Sequence, residues 1–518
     1  MLDWKRTIQI LLIILLLGGV LRFYQLGENS FVADEFLDIN STYGYHQLRE
    51  WRAWDFNFGA ASTVNENAAR DERAAPYKLQ VAALFNVLPP TEATARTVSA
   101  LWGVFAILVV FWSAWIFTAR RDIGLLAACI CAISVSAIIF SRRLRMYAMF
   151  FPLYLAAATA LYAAFERAYE GKIAMFRRVS ERFGMHLPYL VLGSAILPLS
   201  LSVHQMTAHL PLSLGAFLLV QAVLAYRATG SWRNRYGYSV ALGLIGALGL
   251  VLFFPKAIRA FTQELVFFDD HFGYLSHALT DFATPVMGAV LITFGLAYLF
   301  RSAVKQSAVW YLALAYLVPL LMAIFLWRRN VGPQYIFFVQ SFGMILAAAG
   351  IVGVFEFLRR SMSERWNIRL ALLSGLGLFL LVPNLGYFLE ENNTYHETST
   401  GGNPNYRKVF AYFKKESIDG DILITRNFRN YYWGGAKATV YDFGGELSKD
   451  KLSLAEIKKI EADHSSGWFI YSGNDEDYIS SEVEQYVAKN WERVSNANVR
   501  GDITVFRFGH SPAQESVR

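Results

Sequence analysis

Apolar runs recur along this chain, each near the roughly 20 residues that a helix needs to cross a bilayer. Eleven spans are predicted, at about 8–26, 97–119, 122–140, 146–166, 187–204, 207–226, 237–256, 283–300, 307–327, 334–355 and 368–388. Pro198, Pro211 and Pro319 fall within or at the edge of spans, where proline kinks a helix and frees backbone groups that neighbours must satisfy. The first polar segment, 27–95, carries two amphipathic stretches, Asp34–Arg52 and Tyr77–Leu88. Their interleaved charges and aromatics, with the Trp51/Trp54 pair, predict helices lying in the membrane interface. A solvated loop with scattered aromatics is the plainer alternative. Beyond about residue 403 the period changes. Tyr406–Glu416, Leu454–Ala462 and Ser481–Asn490 read as helices, and Asp421–Thr425, Ala438–Asp442, Trp468–Tyr471 and Ile503–Phe508 as short strands. The pattern predicts a mainly α polytopic membrane protein of about 11 transmembrane helices with a small C-terminal α/β domain. Residues 1–388 would form the membrane domain, including the first outer loop, and 389–518 a soluble extracytoplasmic domain.

Composition agrees. The 518 residues are 55% hydrophobic and only 17% charged, against about 25% charged in soluble proteins. The net charge of +7 conceals a division. From Leu389 onward there are 16 Lys+Arg and 20 Asp+Glu, so the basic excess belongs to the membrane part. Lys5/Arg6, Arg120/Arg121, Arg167 to Arg182, Arg227 to Arg235, Arg301/Lys305 and Arg359 to Arg369 fall on one side, which the positive-inside rule makes cytoplasmic. The C-terminal domain and segment 27–95 are then outside, in the inner (plasma) membrane setting of a multi-pass protein. Lys5 and Arg6 before a long apolar run suggest a signal peptide, but the run is long enough to span and lacks a small-residue cleavage site, so it reads as an uncleaved first helix. Cys129 and Cys131 share one apolar run and read as small core residues. No nucleotide-binding glycine motif and no nucleic-acid-binding motif is present.

Charges that break these patterns are the candidate chemistry. Asp34 and Glu35 sit just past the first span, where charge is costly and tends to be functional. Their plainer role is to start an interfacial helix, whose N-terminus favours acids; both roles can coexist. Arg142, Arg143 and Arg145, before Tyr147, and Arg328/Arg329 occupy outer loops where the rule expects few basic residues. A guanidinium fork suits phosphate oxygens, whether of bulk lipid or of a lipid-linked substrate. Arg96 is a further candidate of this kind. His204 and His209 lie near outer span ends, where a structural hydrogen-bonding role is the ordinary one. Glu66, Asp71 and Glu72 read as mostly solvated. Asp269-Asp270-His271 is the nearest approach to a metal ligand set and is unconvincing, so no metal ligand and no cofactor is assigned.

In this order and sidedness the features resemble the GT-C class of integral membrane glycosyltransferases. They are most similar to the protein O-mannosyltransferase and aminoarabinose transferase branch, the dolichyl-phosphate-mannose-type enzymes. The acidic pair matches Asp34 and Glu35, and the arginine cluster before a tyrosine matches Arg142, Arg145 and Tyr147. Where the family often has His-Pro-Pro-Leu, this chain has Ala74-Ala75-Pro76-Tyr77-Lys78. The late Arg-Tyr motif is altered to Gly332-Pro333-Gln334-Tyr335, with Arg328 and Arg329 nearby.

The resemblance implies a polyprenyl-phosphate sugar donor, a glycolipid, glycan or protein acceptor, and inversion at the anomeric carbon. In that scheme Asp34 is the base, and Glu35 positions the acceptor or Asp34. Arg142, Arg145, Arg329 and Lys78 bind the donor phosphate, and Tyr77, Tyr147, His204 and Tyr335 shape the pocket. The rival class is a lipid-sugar flippase, which would show repeated halves and polar groups at the bilayer midplane. An O-antigen ligase or polymerase-type enzyme is a third reading.

Overall fold

The computed structural model describes residues 3–56, 58–62, 71–263, 265, 270–327, 331–361, 384–390, 393–395, 404–435, 438–443, 450–494 and 503–509. Its helices, in chain order, begin with α1 (Trp4–Phe23), α2 (Ala33–Leu48), α3 (Ala75–Leu84) and α4 (Glu92–Thr118). Next come α5 (Arg121–Ile133), α6 (Val135–Ser141), α7 (Tyr147–Glu166), α8 (Ala174–Phe183), α9 (Leu187–Val203) and α10 (His209–Thr229). They continue with α11 (Arg235–Phe253), α12 (Pro255–Thr262), α13 (Gly273–Ala278), α14 (Pro285–Arg301), α15 (Gln306–Phe325) and α16 (Gln340–Ser361). The last four are α17 (Tyr406–Glu416), α18 (Phe428–Trp433), α19 (Leu454–Asp463) and α20 (Ser481–Asn490).

Among the described residues, seven helices are long and apolar enough to cross a membrane, or nine if each of two bent pairs is one span. The protein is a polytopic membrane protein. The last predicted run, 368–388, lies mostly outside the described residues. Two predicted spans differ in detail. The run 122–140 is two helices, α5 and α6, bent by 57° at Ser134, and α9 is preceded by α8 at 89°.

The chain divides into two compact units. One holds residues 1–24, 73–81 and 96–387; the other holds 25–72, 82–95 and 388–518.

In the first unit, α14 and α16 touch backbone to backbone. A Cβ on Gly295 would lie 1.9 Å from the Leu346 carbonyl oxygen, and one on Gly350 would lie 2.2 Å from that of Leu291. Small residues at such crossings let helices gain close packing where water supplies no driving force.

The α5–α6 break has an electrostatic explanation. In a continuous helix the Ser136 amide would serve the Ala132 carbonyl. Here that amide donates instead to Asp281 Oδ1 at 3.0 Å. The Ala132 and Cys131 carbonyls instead accept from the guanidinium of Arg22 on α1, both at 3.0 Å. Arg22 is fully buried, and its Nε also donates to Ser141 Oγ at 3.3 Å. A cation at the C-terminal end of one half-helix and an anion at the N-terminus of the next match the two dipole ends, and Ser134 caps α6 through the Ala137 amide at 3.0 Å.

In the second unit a five-stranded sheet has the order β4-β3-β5-β7-β6, after a small hairpin of β1 (Trp54–Asp55) and β2 (Ala60–Ala61). Strands β3 (Ile422–Ile424), β4 (Thr439–Tyr441) and β5 (Gly467–Ser472) are parallel. Strands β6 (Glu492–Arg493) and β7 (Ile503–Phe508) close the sheet in antiparallel fashion. Both faces are covered, so the strand residues are apolar on either side of the pleat. Ile422, Ile424 and Phe469 pack against Ile457 and Ile460 of α19 and Val483 and Val487 of α20. Leu423, Trp468 and Ile470 pack against Val409, Phe410 and Phe413 of α17 and Tyr431 of α18.

Candidate active site

In the second unit, the acidic pair occupies the first turn of α2, with Val32 as its N-cap. Glu35 is fully buried, and its Oε2 accepts the Val32 amide at 3.0 Å. This is one half of a capping box, in which a side chain at the third helical position satisfies an amide that has no helical partner. Phe31 and Phe36 add the matching hydrophobic contact across the same turn, with ring centroids 5.7 Å apart. The pair is therefore divided. Glu35 is turned inward to hold the helix start, and Asp34 is exposed. Asp38, one turn further on, is buried at 1% exposure. The sequence reading did not single it out, although its place one turn along the same helix was visible.

The first unit holds the cationic and aromatic candidates. Tyr77 and Lys78 are buried on α3. The Tyr77 hydroxyl donates to Ser99 Oγ at 2.7 Å, and Ser99 donates on to the Arg145 carbonyl at 3.3 Å. The Arg145 guanidinium sits 5.5 Å from the ring centroid of Tyr147, a cation–π contact. The Tyr147 ring lies 5.3 Å from the imidazole of His204, which also packs on Phe150 at 4.9 Å. Tyr335 and Arg73 are within electrostatic reach of the Tyr147 hydroxyl. Tyr77, Arg145, Tyr147, His204 and Tyr335 are thus brought together by α3, α4, α7 and the turns at 204–208 and 333–335. Ser99 and Arg73 join them without having been expected. Ser99 lies inside an apolar span, and Arg73 stands in a charged loop that read as solvent-facing.

Other candidates take different places. The Arg142 side chain donates to the Arg22 and Tyr24 carbonyls at 3.2 and 2.5 Å, which ties the arginine loop to the end of α1. His204 Nδ1 accepts the Met206 amide at 3.1 Å, so this histidine also caps the short turn after it. Arg96 is buried in the first turns of α4. His209 is buried with its ring 5.4 Å from Trp327. Arg328, Arg329, Glu66 and Asp269 lie outside the described residues. Among those described, no group of three or more His, Cys, Asp and Glu residues is placed to hold a metal ion.

Next to α14, burial pushes the Asp281 carboxyl above its usual range, against bonds from the Ser136 amide and the Ser134 and Ser136 hydroxyls. Its Oδ2 and the Gln340 Oε1 are both buried without a hydrogen-bond partner.

No family model matches the chain, and no curated protein matches it in sequence. Solved structures do match in fold. One is the archaeal oligosaccharyltransferase AglB from Archaeoglobus fulgidus, in complex with an inhibitory peptide and a dolichol-phosphate. It is 12% identical with a TM-score of 0.57, over 92% of this chain and 70% of that one. Another is ArnT from Cupriavidus metallidurans bound to undecaprenyl phosphate, 11% identical with a TM-score of 0.51, over 98% of each chain. The apo state of ArnT is 13% identical with a TM-score of 0.53, over 96% of this chain and 97% of that one. The protein therefore shares the fold of these solved structures, in keeping with its resemblance to the GT-C class.

Proposed function

We propose that this protein is a membrane glycosyltransferase that moves a sugar from a polyprenyl-phosphate donor to an acceptor at the extracytoplasmic face. The observation that carries this reading is the buried Tyr77–Ser99–Arg145–Tyr147–His204 cluster. It occurs in a fold shared with proteins solved with dolichol-phosphate and undecaprenyl phosphate.

The donor's tail lies in the bilayer and its phosphate at headgroup depth. An acceptor hydroxyl loses a proton as it attacks the anomeric carbon, the glycosidic C–O bond to phosphate breaks, and the phosphate leaves with the electron pair. Inversion follows from attack opposite the leaving group. Asp34, exposed on the first turn of α2, is the base. Glu35 holds that turn. Arg145 and Lys78 stabilise the charge that grows on the departing phosphate, with Arg142 and Arg329 in support, and Tyr77, Tyr147, His204 and Tyr335 shape the sugar pocket. The N-terminus is cytoplasmic and the 389–518 domain faces outward; cysteines introduced at Ser62 and Ser465 should label from the outside.

The test is a reconstituted assay with a panel of polyprenyl-phosphate sugars, read by mass spectrometry of products. Asp34→Asn should abolish transfer, a loss of about 10²–10⁴-fold, while donor binding persists. Arg145→Ala should weaken donor binding by about tenfold or more. Full turnover in Asp34→Asn overturns the base assignment. A second reading, a lipid-sugar carrier, is favoured only by the interruption at Ser134, since carriers use broken helices. Translocation without product would establish it.

A further inference from the structure

We propose that the soluble C-terminal domain positions the acidic motif, with Asn430 and Trp433 of α18 as the positioning residues. The inference rests on the reading of Asp34 as the base and concerns what holds it.

All the contacts lie within the second unit. The segment that enters α2 is gripped at consecutive residues by the tail of the chain. The Arg407 guanidinium donates to the Gly27 carbonyl, and Asn405 Nδ2 donates to that of Glu28 at 3.0 Å. Asn29 Nδ2 donates to the Thr394 carbonyl at 3.4 Å, and Ser30 Oγ to that of Pro404 at 3.1 Å. Asn430 Nδ2 donates to the Phe31 carbonyl at 3.2 Å. Asn405 is fully buried, and its Oδ1 also caps α17 through the Lys408 amide at 3.2 Å. One side chain thus fastens the domain's first helix to the segment that enters α2.

Trp433 completes the grip. Its ring lies 5.2 Å from Phe31, 5.2 Å from Phe56 and 6.1 Å from Tyr43. Phe31 is the outer half of the hydrophobic staple that sets the angle at which the chain enters α2, and Tyr43 lies further along the same helix. Trp433 therefore touches α2's lead-in and its body together, which fixes the tilt of the helix start. Asp34 is the second residue of that helix, and the direction of its carboxylate follows from the tilt. A misplacement of about 1 Å at a reacting group costs on the order of 10²-fold in rate.

A domain that merely packed nearby would not need five polar contacts on five successive residues leading to a carboxylate. Asn430 is 9% exposed and spends its amide on a backbone carbonyl two residues before the helix. Removing it should loosen the start of α2 without touching any group assigned to donor or acceptor.

The experiment uses the full chain, reconstituted, with Asn430→Ala, Trp433→Leu and Trp433→Phe. Asn430→Ala and Trp433→Leu should each lower kcat by about 10- to 100-fold. KM for the polyprenyl-phosphate sugar should change less than about threefold, because the phosphate is held by other residues. Trp433→Phe keeps an aromatic edge against Phe31 and should restore most of kcat. Amide hydrogen exchange over residues 33–38 should rise in the first two variants and not in the third. Turnover within about twofold of wild type in both Asn430→Ala and Trp433→Leu overturns the proposal, as does a kcat loss with unchanged exchange over 33–38. The exchange readout needs no catalysis. If Asp34→Asn proves fully active, the base assignment fails while the grip on α2 is still judged by exchange.

Discussion

Replacing Arg22 by methionine is the sharpest test of why the third membrane segment is two helices. The wild-type guanidinium is fully buried and donates to the Gly18, Ala132 and Cys131 carbonyls and to Ser141. Gly18 loses little, because its carbonyl also serves α1's own ladder. Ala132 has no such recourse, since the Ser136 amide has already gone to Asp281, and the Val135 amide that would serve Cys131 in a continuous helix lies beyond the break at Ser134. Two buried carbonyls left unsatisfied cost about 1–3 kcal/mol each, so roughly 4 kcal/mol in all, and methionine's apolar contacts recover only part of it. For a large domain each kcal/mol moves Tm by about 2 °C, which predicts a fall of about 5–10 °C. Arg22→Lys keeps the charge but loses the planar fork that serves two carbonyls at once, so it should fall between. The exposed Arg6 is the control, and Arg6→Met should change little. The assay is the temperature at which half of the monodisperse protein in detergent is lost, because unfolding of such proteins is usually irreversible. Cys131 offers a second readout. It is buried in the wild type and should become reactive to maleimide in Arg22→Met on a Cys129→Ser background. A variant within about 2 °C of wild type, with Cys131 still protected, refutes the account of the break.

Two further predictions concern the first unit. Gly350→Ala should destabilise by about 3 kcal/mol, because its Cβ meets the Leu291 carbonyl oxygen at 2.2 Å and backbone cannot move aside cheaply. Gly215→Ala, with open space around the new methyl, should be neutral or gain up to about 1 kcal/mol; equal thermal shifts in the two would contradict the close-packing argument. The Asp281 carboxyl has a raised folded-state pKa through burial, so wild-type stability declines as pH rises from the unfolded value of 3.8 through the folded one and is level above it. Asp281→Asn still accepts the Ser136 amide and does not ionise. Its melting temperature relative to wild type should therefore improve as pH rises across that window, and a difference that is flat with pH refutes the assignment.

The C-terminal domain was legible almost to the residue. Tyr406–Glu416 and Ser481–Asn490 begin after Asn405 and Ser480, whose side chains cap them, and the strands are short apolar runs covered on both faces. The added elements, α18 and β6, are too short to show a period. The membrane helices were legible from apolar length, but the break at Ser134 was not. It contains neither proline nor glycine and is held by charges 110 and 145 residues away. For the candidate site, residue types and order placed the acids at a helix start and an arginine beside a tyrosine, which is where the structure has Asp34, Glu35, Arg145 and Tyr147. Only the family resemblance, and not the residues themselves, separated the work of Asp34 from that of Glu35. That division depends on which side chain turns back to the Val32 amide, and both residue types can do so. Arg142 illustrates the same limit, since its attachment to α1 is a long-range contact invisible in the local pattern.

The contacts on residues 27–31 carry a consequence for biosynthesis. The acidic motif leaves the ribosome early, but its partners at Thr394 and Asn430 follow 365 and 399 residues later. Until the last domain has been made, the lead-in to α2 lacks these partners, and the long closure makes this among the slowest contacts to form. A chain truncated before α18 would insert its helices normally yet carry an unaligned Asp34. On the proposed reading of Asp34 as the base, the domain would act as a completion check, withholding full activity from partly made copies of the protein.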